Sequence, residues 1–193
     1  MVNFLSAINR FKTRVTDRRL LLPKPGLLHF DHQENGERAR IHLRIDPDGT
    51  GLLLVNASRI MHLNATATLM AYLILKNIPQ DVALNSLNKT FDVTSSQLII
   101  DYAQITNQLH ELIKPDGACP VHDLELEVTP PFSTRPSAPY RMDLAITYRC
   151  NNDCAHCYNA RPRDYPELTT NNWYQILDRL WAIGIPHVVF TGG

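Results

Sequence analysis

The sequence lacks the features that would mark a nucleic-acid-binding, membrane-spanning or secreted protein. Its 19 basic and 19 acidic side chains give a formal net charge of zero, so bulk electrostatics offers no support for a nucleic-acid partner. It has no apolar run long enough to span a bilayer, and its N-terminus lacks the uninterrupted apolar core of a secretory signal. It also contains no internal repeat or low-complexity segment. We therefore expect a cytoplasmic protein without a transmembrane segment.

Cysteine is scarce but unevenly distributed, since three of the four cysteines lie in the stretch Cys-Asn-Asn-Asp-Cys-Ala-His-Cys that ends at Cys157. Such crowding is typical of metal ligation in a reducing compartment rather than of a disulfide framework. With C-x-x-x-C-x-x-C spacing, Cys150, Cys154 and Cys157 can converge on one inorganic centre. An iron–sulfur cluster held by three cysteines keeps one iron open to a small molecule, whereas a structural zinc site normally takes four protein ligands.

The cysteine loop is flanked by strand and helix patterns. Residues 141–148 alternate, with an apolar face formed by Met142, Leu144, Ile146 and Tyr148, which predicts a strand. Thr169 offers an N-cap for a helix that ends near Gly184, and residues 187–190 form a short strand of the buried type. A right-handed crossover makes two such strands parallel, so the cysteine loop and Gly192-Gly193 should face one site.

These motifs resemble the start of a radical S-adenosylmethionine (SAM) enzyme over roughly residues 140–193. In that family a C-x-x-x-C-x-aromatic-C loop follows the first barrel strand and Gly-Gly-Glu follows the second. The resemblance implies that Cys150, Cys154 and Cys157 hold a [4Fe-4S] cluster. Its free iron would take the amino and carboxylate groups of SAM.

The same resemblance implies SAM-binding roles for three further residues. Gly192 and Gly193 would lie against the methionyl amino end, and His156 stands where the family usually has an aromatic residue near the adenine. The chemistry implied is reductive cleavage of SAM to methionine and a 5′-deoxyadenosyl radical, which requires an external electron donor. Residues 140–193 hold a single βαβ unit, and a barrel needs several further strands. We therefore expect a truncated chain, inactive alone, from a polypeptide about twice as long.

The region before the cysteine loop predicts a small antiparallel sheet followed by three helices. Turn signals at Asn35-Gly36 and at 46–49 punctuate this extended region. The predicted strands are 41–45, 52–55 and 59–63. Asn64 caps a helix to about Lys76, Pro79 opens one to about Phe91, and Thr94 with Gln97 forms a capping box for a long third helix.

This β-β-β-α-α-α order over residues 20–113 resembles the PqqD-like winged-helix fold, a peptide-recognition element. In that family the leader segment of a precursor peptide adds as a strand to the edge of the third strand and lies against the third helix. The receiving strand would comprise Arg59, Ile60, Met61, His62 and Leu63. The exposed side of residues 95–112 would supply the groove. Alternatively, the edge is covered by the N-terminal helix and serves only as scaffold.

The remaining segments have less specific patterns. Residues 1–19 predict a basic amphipathic helix, which packs on its own protein or docks on an anionic membrane or a partner. Residues 114–139 hold six of the thirteen prolines and predict a linker with one edge strand at 124–128. Within it Cys119 and His122 have the spacing of a metal-ligand pair. Either they complete a zinc site with the cysteine loop, or Cys119 is a free thiol.

The sequence thus predicts an α+β chain: a winged-helix-like β3α3 domain, a proline-rich linker and the first βαβ unit of a radical SAM partial barrel. The predicted function is modification of a peptide recognised through its leader. Two alternatives stay open. One is a radical SAM enzyme acting on a small cofactor precursor, and the other is a non-enzymatic peptide-binding module with a zinc loop.

Overall fold

The computed structural model describes residues 23–34, 37–114, 136–157 and 166–192. The chain divides into two compact units, Met1–Pro130 and Pro131–Gly193. The amphipathic helix predicted over residues 1–19, the strand predicted at 124–128 and Cys119 lie outside the described residues. Within the described ranges, no helix has both the length and the apolar character needed to cross a membrane.

The first unit contains a four-stranded antiparallel sheet in the order β1-β2-β3-β4. The strands are β1 (Gly26–Glu34), β2 (Glu37–Ile45), β3 (Gly51–Val55) and β4 (Arg59–Leu63). The sequence predicted three strands in this sheet and the structure has four, so the predicted number was wrong by one strand. β1 pairs with β2 along its whole length, ending at Glu34 opposite Glu37, and only the predicted Asn35-Gly36 turn separates these partners. Two residues of this type are the preferred connection of a tight hairpin.

β1 was missed because its alternation is carried by polar as well as apolar side chains. Leu28 and Phe30 pack against the core. On the opposite face, Nδ1 of His29 lies 3.2 Å from Nε2 of its cross-strand partner His42. Asp31 accepts hydrogen bonds from Arg38, which lower the pKa of its carboxyl group. Cross-strand polar pairs thus stabilise a strand that hydrophobicity alone indicates weakly.

Three helices follow: α1 (Ala65–Leu75), α2 (Gln80–Thr90) and α3 (Ser95–Ile113). The predicted caps of the first and third helices are confirmed. Asn64 accepts a hydrogen bond from the Ala67 amide at 2.8 Å, and Thr94 accepts one from the Gln97 amide at 3.4 Å. The Gln97 side chain donates to Asp101 at 2.7 Å, so the structure shows the Thr94 half of the predicted capping box.

The core lies between the sheet and the helices. The buried apolar side chains of its main cluster are Ala39, Ile41, Leu43, Ile45, Leu53, Val55, Met61, Leu63, Ala71, Leu109 and Leu112. A second cluster joins the three helices and contains Tyr102, whose burial raises its pKa to about 12. β3 is buried on both faces, since Leu52 and Leu54 on the face away from the helices are also buried. Burial on both faces explains the continuous apolar run of β3.

The second unit is a βαβ unit of β5 (Arg141–Thr147), α4 (Thr170–Ala182) and β6 (His187–Gly192). β5 and β6 pair in parallel, as the sequence predicts. Thr169 is the N-cap of α4 and forms a reciprocal capping box with Asn172. Gly184, just past the helix, has a φ of 88°, a conformation that favours glycine.

Replacing Gly51 by alanine should destabilise the first unit. A Cβ at Gly51 would lie 2.7 Å from Oγ1 and 2.8 Å from Cγ2 of Thr68, a β-branched side chain on α1 with little freedom to move. We expect a loss of about 1–3 kcal/mol in the free energy of unfolding, measured by urea denaturation.

The background variant Thr68→Ala removes both clashing atoms and provides the control. Gly51→Ala should cost less in that background than in the wild type. Equal costs in the two backgrounds would show that the contact with Thr68 does not limit this position.

Candidate functional site

The carboxyl ends of the two parallel strands meet at an irregularity in their pairing. Ala145 lies opposite Thr191, and Thr147 opposite the next residue, Gly192, so Ile146 is an extra residue on β5. The predicted apolar face of β5 therefore holds at Met142 and Leu144 but breaks at Ile146, which is 38% exposed. Bulges of this kind often lie next to functional sites, where they redirect the chain.

Gly192 is in close contact with the end of β5. Its φ is 146°, and a Cβ at this position would lie 2.5 Å from the carbonyl oxygen of Thr147. No other residue fits here, because a side chain would collide with main-chain atoms that cannot rotate away. The contact brings the end of β6 beside the residue that leads into the cysteine loop. Gly193, the other predicted glycine, lies outside the described residues.

The cysteine loop follows β5 directly. Cys150 and Cys154 are exposed, Cys157 is half-buried, and none of the three forms a disulfide. A turn closes the second part of the loop, where the Cys157 amide donates to the Cys154 carbonyl at 3.0 Å. The Asn152 amide lies 3.5 Å from Sγ of Cys150. Main-chain N–H groups directed at cysteine sulfur are one means by which proteins tune iron–sulfur clusters.

The three thiols are not gathered into a ligand set. Among residues 23–34, 37–114, 136–157 and 166–192, no group of three His, Cys, Asp or Glu side chains is placed to hold a metal ion. Metal sites are commonly completed when the metal binds, so the chemistry of the donors is the relevant test. Three reduced, accessible thiols on one loop fit an iron–sulfur cluster with one open iron.

Glu167 connects the end of β5 to the start of α4. Its carboxylate accepts a hydrogen bond from the Thr147 hydroxyl, and Oε1 lies 3.3 Å from Nε of Arg149. The Thr147 hydroxyl in turn accepts a hydrogen bond from the Arg149 amide at 3.0 Å. The group borders a cleft of about 170 Å³ lined by Ala145, Ile146, Thr147, Tyr148, Pro166, Glu167, Leu168 and Trp173. The sequence interpretation missed Glu167, whose only signal was its place just before the N-cap of α4.

The predicted peptide-binding strand is an edge of its sheet. Within the described residues β4 pairs with β3 alone. Met61 and Leu63 are buried in the core, whereas Ile60 is half-buried and His62 is exposed. The guanidinium of Arg59 donates to the main-chain carbonyls of Leu112, at 2.7 Å, and Lys114. Arg59 therefore ties β4 to the C-terminal end of α3. The predicted adenine-side residue, His156, is exposed in the cysteine loop.

Comparison with known proteins finds similarity within the second unit. Residues 144–193 match the family model of the Radical SAM superfamily. Two curated relatives share similarity with this chain. The sporulation killing factor maturation protein SkfB of Bacillus subtilis (strain 168) is 34% identical over 56 residues. The PqqA peptide cyclase of Bradyrhizobium diazoefficiens is 40% identical over 57 residues.

The similarity is local in both directions. Each match covers 28% of this chain, and the matches cover 14% of the SkfB protein and 15% of the PqqA peptide cyclase. No solved structure matches the chain significantly. These findings show that residues 144–193 are similar to the Radical SAM superfamily and that the chain spans only part of the length of the curated relatives it matches.

Replacing Gly192 by alanine should disrupt the pairing at the ends of β5 and β6, because the new Cβ would collide with the Thr147 carbonyl. We expect amide hydrogens near residues 145–147 and 190–192 to exchange about tenfold faster, which corresponds to a local loss of about 1.4 kcal/mol. Thr191→Ala, at an exposed neighbouring position, is the control and should leave exchange nearly unchanged. Equal exchange in both variants would contradict the proposed steric contact.

Proposed function

We propose that this chain belongs to a radical SAM enzyme that modifies a peptide recognised through its leader segment. The observation that carries the proposal is the match of residues 144–193 to the Radical SAM superfamily, together with three reduced cysteines at the carboxyl end of β5. Of the two relatives, one is named as a maturation protein and the other as a peptide cyclase.

In this proposal Cys150, Cys154 and Cys157 would be the protein ligands of a [4Fe-4S] cluster, which would leave one iron open to SAM. When bound and reduced by an external donor, the cluster would supply the electron that cleaves SAM to methionine and a 5′-deoxyadenosyl radical. The chain's own contribution is ligation, orientation and exclusion of water. The fit of three thiols from one loop supports this assignment.

The SAM-binding residues would come from the same end of the βαβ unit. Gly192 and Gly193 would present main-chain groups to the methionyl amino end of SAM. His156, exposed in the loop, would stack near the adenine. The contact between Gly192 and Thr147 supports a shared site, because it brings the end of β6 next to the start of the cysteine loop.

Peptide recognition would use the edge of β4. An added strand gains main-chain hydrogen bonds along an unpaired edge, and side-chain contacts select its register. Since Met61 and Leu63 are committed to the core, they would contribute only main-chain groups, leaving Ile60 and His62 for side-chain contacts on the outer face. Arg59 would act indirectly, since it holds the strand against the end of α3. These features support a PqqD-like role for residues 20–113.

Two other functions make different predictions. A radical SAM enzyme for a small cofactor precursor would use the same cluster but leave the β4 edge unused. A peptide-binding module with a zinc loop would use the edge without SAM chemistry.

We propose a cytoplasmic location, because the ligand role requires reduced thiols. The neutral net charge gives no reason to propose a nucleic-acid partner.

Replacing any one of Cys150, Cys154 or Cys157 by alanine should abolish cluster loading, because each supplies one of three protein ligands. After anaerobic reconstitution we expect bound iron and sulfide to fall to the background level. In the wild type, electron paramagnetic resonance of the reduced protein should change on addition of SAM.

Cys119→Ala is the matched control and should load iron and sulfide normally. The zinc-loop alternative would be favoured if the wild type bound zinc without sulfide and Cys119→Ala lost that zinc. Full loading in all three loop variants would overturn the ligand assignment.

A precursor peptide should protect β4 from hydrogen exchange. On addition of a candidate peptide encoded beside this protein, we expect exchange at residues 60–63 to slow by about tenfold, because edge amides gain acceptors on strand addition. The other edge strand, β1, is the internal control and should not change. Protection of β1 would contradict recognition at β4. So would a peptide that the complete enzyme modifies but that protects neither edge strand.

A further inference from the structure

One carboxylate holds both sides of the entrance to the cysteine loop. Glu167 accepts a hydrogen bond from Thr147, a residue twenty positions earlier in the chain. The same carboxylate lies 3.3 Å from Nε of Arg149, whose amide donates to the Thr147 hydroxyl. The hydroxyl thus donates one hydrogen bond and accepts one, which uses its donor and one of its two acceptor sites. Two hydrogen bonds and one ion pair thus link the three residues into a closed ring.

The ring joins a fixed helix terminus to the first cysteine. Glu167 precedes the N-cap Thr169 by two residues, and the capping box of Thr169 with Asn172 fixes the start of α4. At the other side, Arg149 immediately precedes Cys150. The Arg149 amide donates to the same Thr147 hydroxyl that donates to Glu167, so Glu167 is linked to the point where the chain enters the loop.

The hydrogen bond to Thr147 is the more important of the two contacts. The Arg149 side chain is 77% exposed, so its ion pair with Glu167 is screened by water and contributes little. Glu167 is 35% exposed, and an O–H donor to a carboxylate forms a short, charge-assisted bond. Removing the hydroxyl should therefore affect the loop about as much as removing the carboxylate.

We propose that Glu167 is a positioning residue for the cysteine loop, acting through Thr147 and Arg149 to set the orientation of Cys150. The role toward a cluster rests on the proposed function, whereas the ordering of the loop does not. Residues that orient metal ligands without touching the metal typically change metal affinity by about 10–100-fold when they are replaced.

The test compares four variants in two states of the protein. Glu167→Ala removes the ring, Glu167→Gln keeps an oxygen that can accept from Thr147, and Thr147→Val replaces the hydroxyl by a methyl group of similar size. Asp178→Asn, at an exposed carboxylate on α4, is the matched control. Hydrogen exchange at residues 148–152 is measured in the metal-free chain, and loss of iron to a chelator is measured after anaerobic reconstitution.

In the metal-free chain, exchange should be about tenfold faster in Glu167→Ala and Thr147→Val, unchanged in Asp178→Asn, and within about fivefold of the wild type in Glu167→Gln. The double variant Glu167→Ala/Thr147→Val should be no faster than either single variant. Additive effects, or unchanged exchange, would overturn the positioning role.

In the reconstituted chain, iron loss to the chelator should be about tenfold faster in Glu167→Ala, at a temperature well below the melting point of every variant. Equal iron loss in the wild type and Glu167→Ala would show that Glu167 does not position the ligands. A wild type that binds no iron–sulfur cluster would instead refute the proposed function, and the exchange data would still decide whether Glu167 orders the loop.

Discussion

The close approach of Gly192 to the main chain of Thr147 is the constraint on which the candidate site depends. Parallel strands carry loops from both of their carboxyl ends toward one region, but they define a site only if those ends lie together. Here the extra residue Ile146 turns the end of β5, and a glycine without a side chain lets β6 close against it. Thr147 makes two contacts here: its carbonyl lies against Gly192, and its hydroxyl donates a hydrogen bond to Glu167. The entrance of the cysteine loop is consequently fixed from two elements at once.

Much of the fold could be predicted because the relevant signals are local. Asn64, Thr94 and Thr169 act as N-caps in the structure as their sequences indicate, and the apolar periodicities on either side of the cysteine loop gave the parallel βαβ unit. β1 was missed because its outward face carries polar residues such as His29, which gave little periodic contrast. Cross-strand pairing energy of this kind depends on the partner strand and leaves only a weak trace in the strand's own sequence.

In the candidate site, the sequence predicted the proposed metal ligands but not the residues that contact the start of their loop. The spacing of Cys150, Cys154 and Cys157 is itself the chemical signal, since three thiols on one short loop have few other uses. Glu167 belongs to no motif, and it contacts a residue twenty positions earlier in the chain, Thr147. The bulge at Ile146 occurs where Gly192 contacts Thr147, and this tertiary pairing overrides the alternation of the strand. Residues that orient ligands are defined by tertiary structure rather than by spacing.

The contact of Arg59 with the carbonyl of Leu112 spans 53 residues, which has a consequence for the order of events during synthesis. β4 leaves the ribosome well before α3, yet its first residue is held only when the last turn of α3 has formed. Contacts so distant in sequence form late, because the intervening chain must first be ordered. The edge of the sheet would thus gain its final geometry only after about residue 114 has emerged. A nascent chain shorter than this would present a strand not yet anchored at its start.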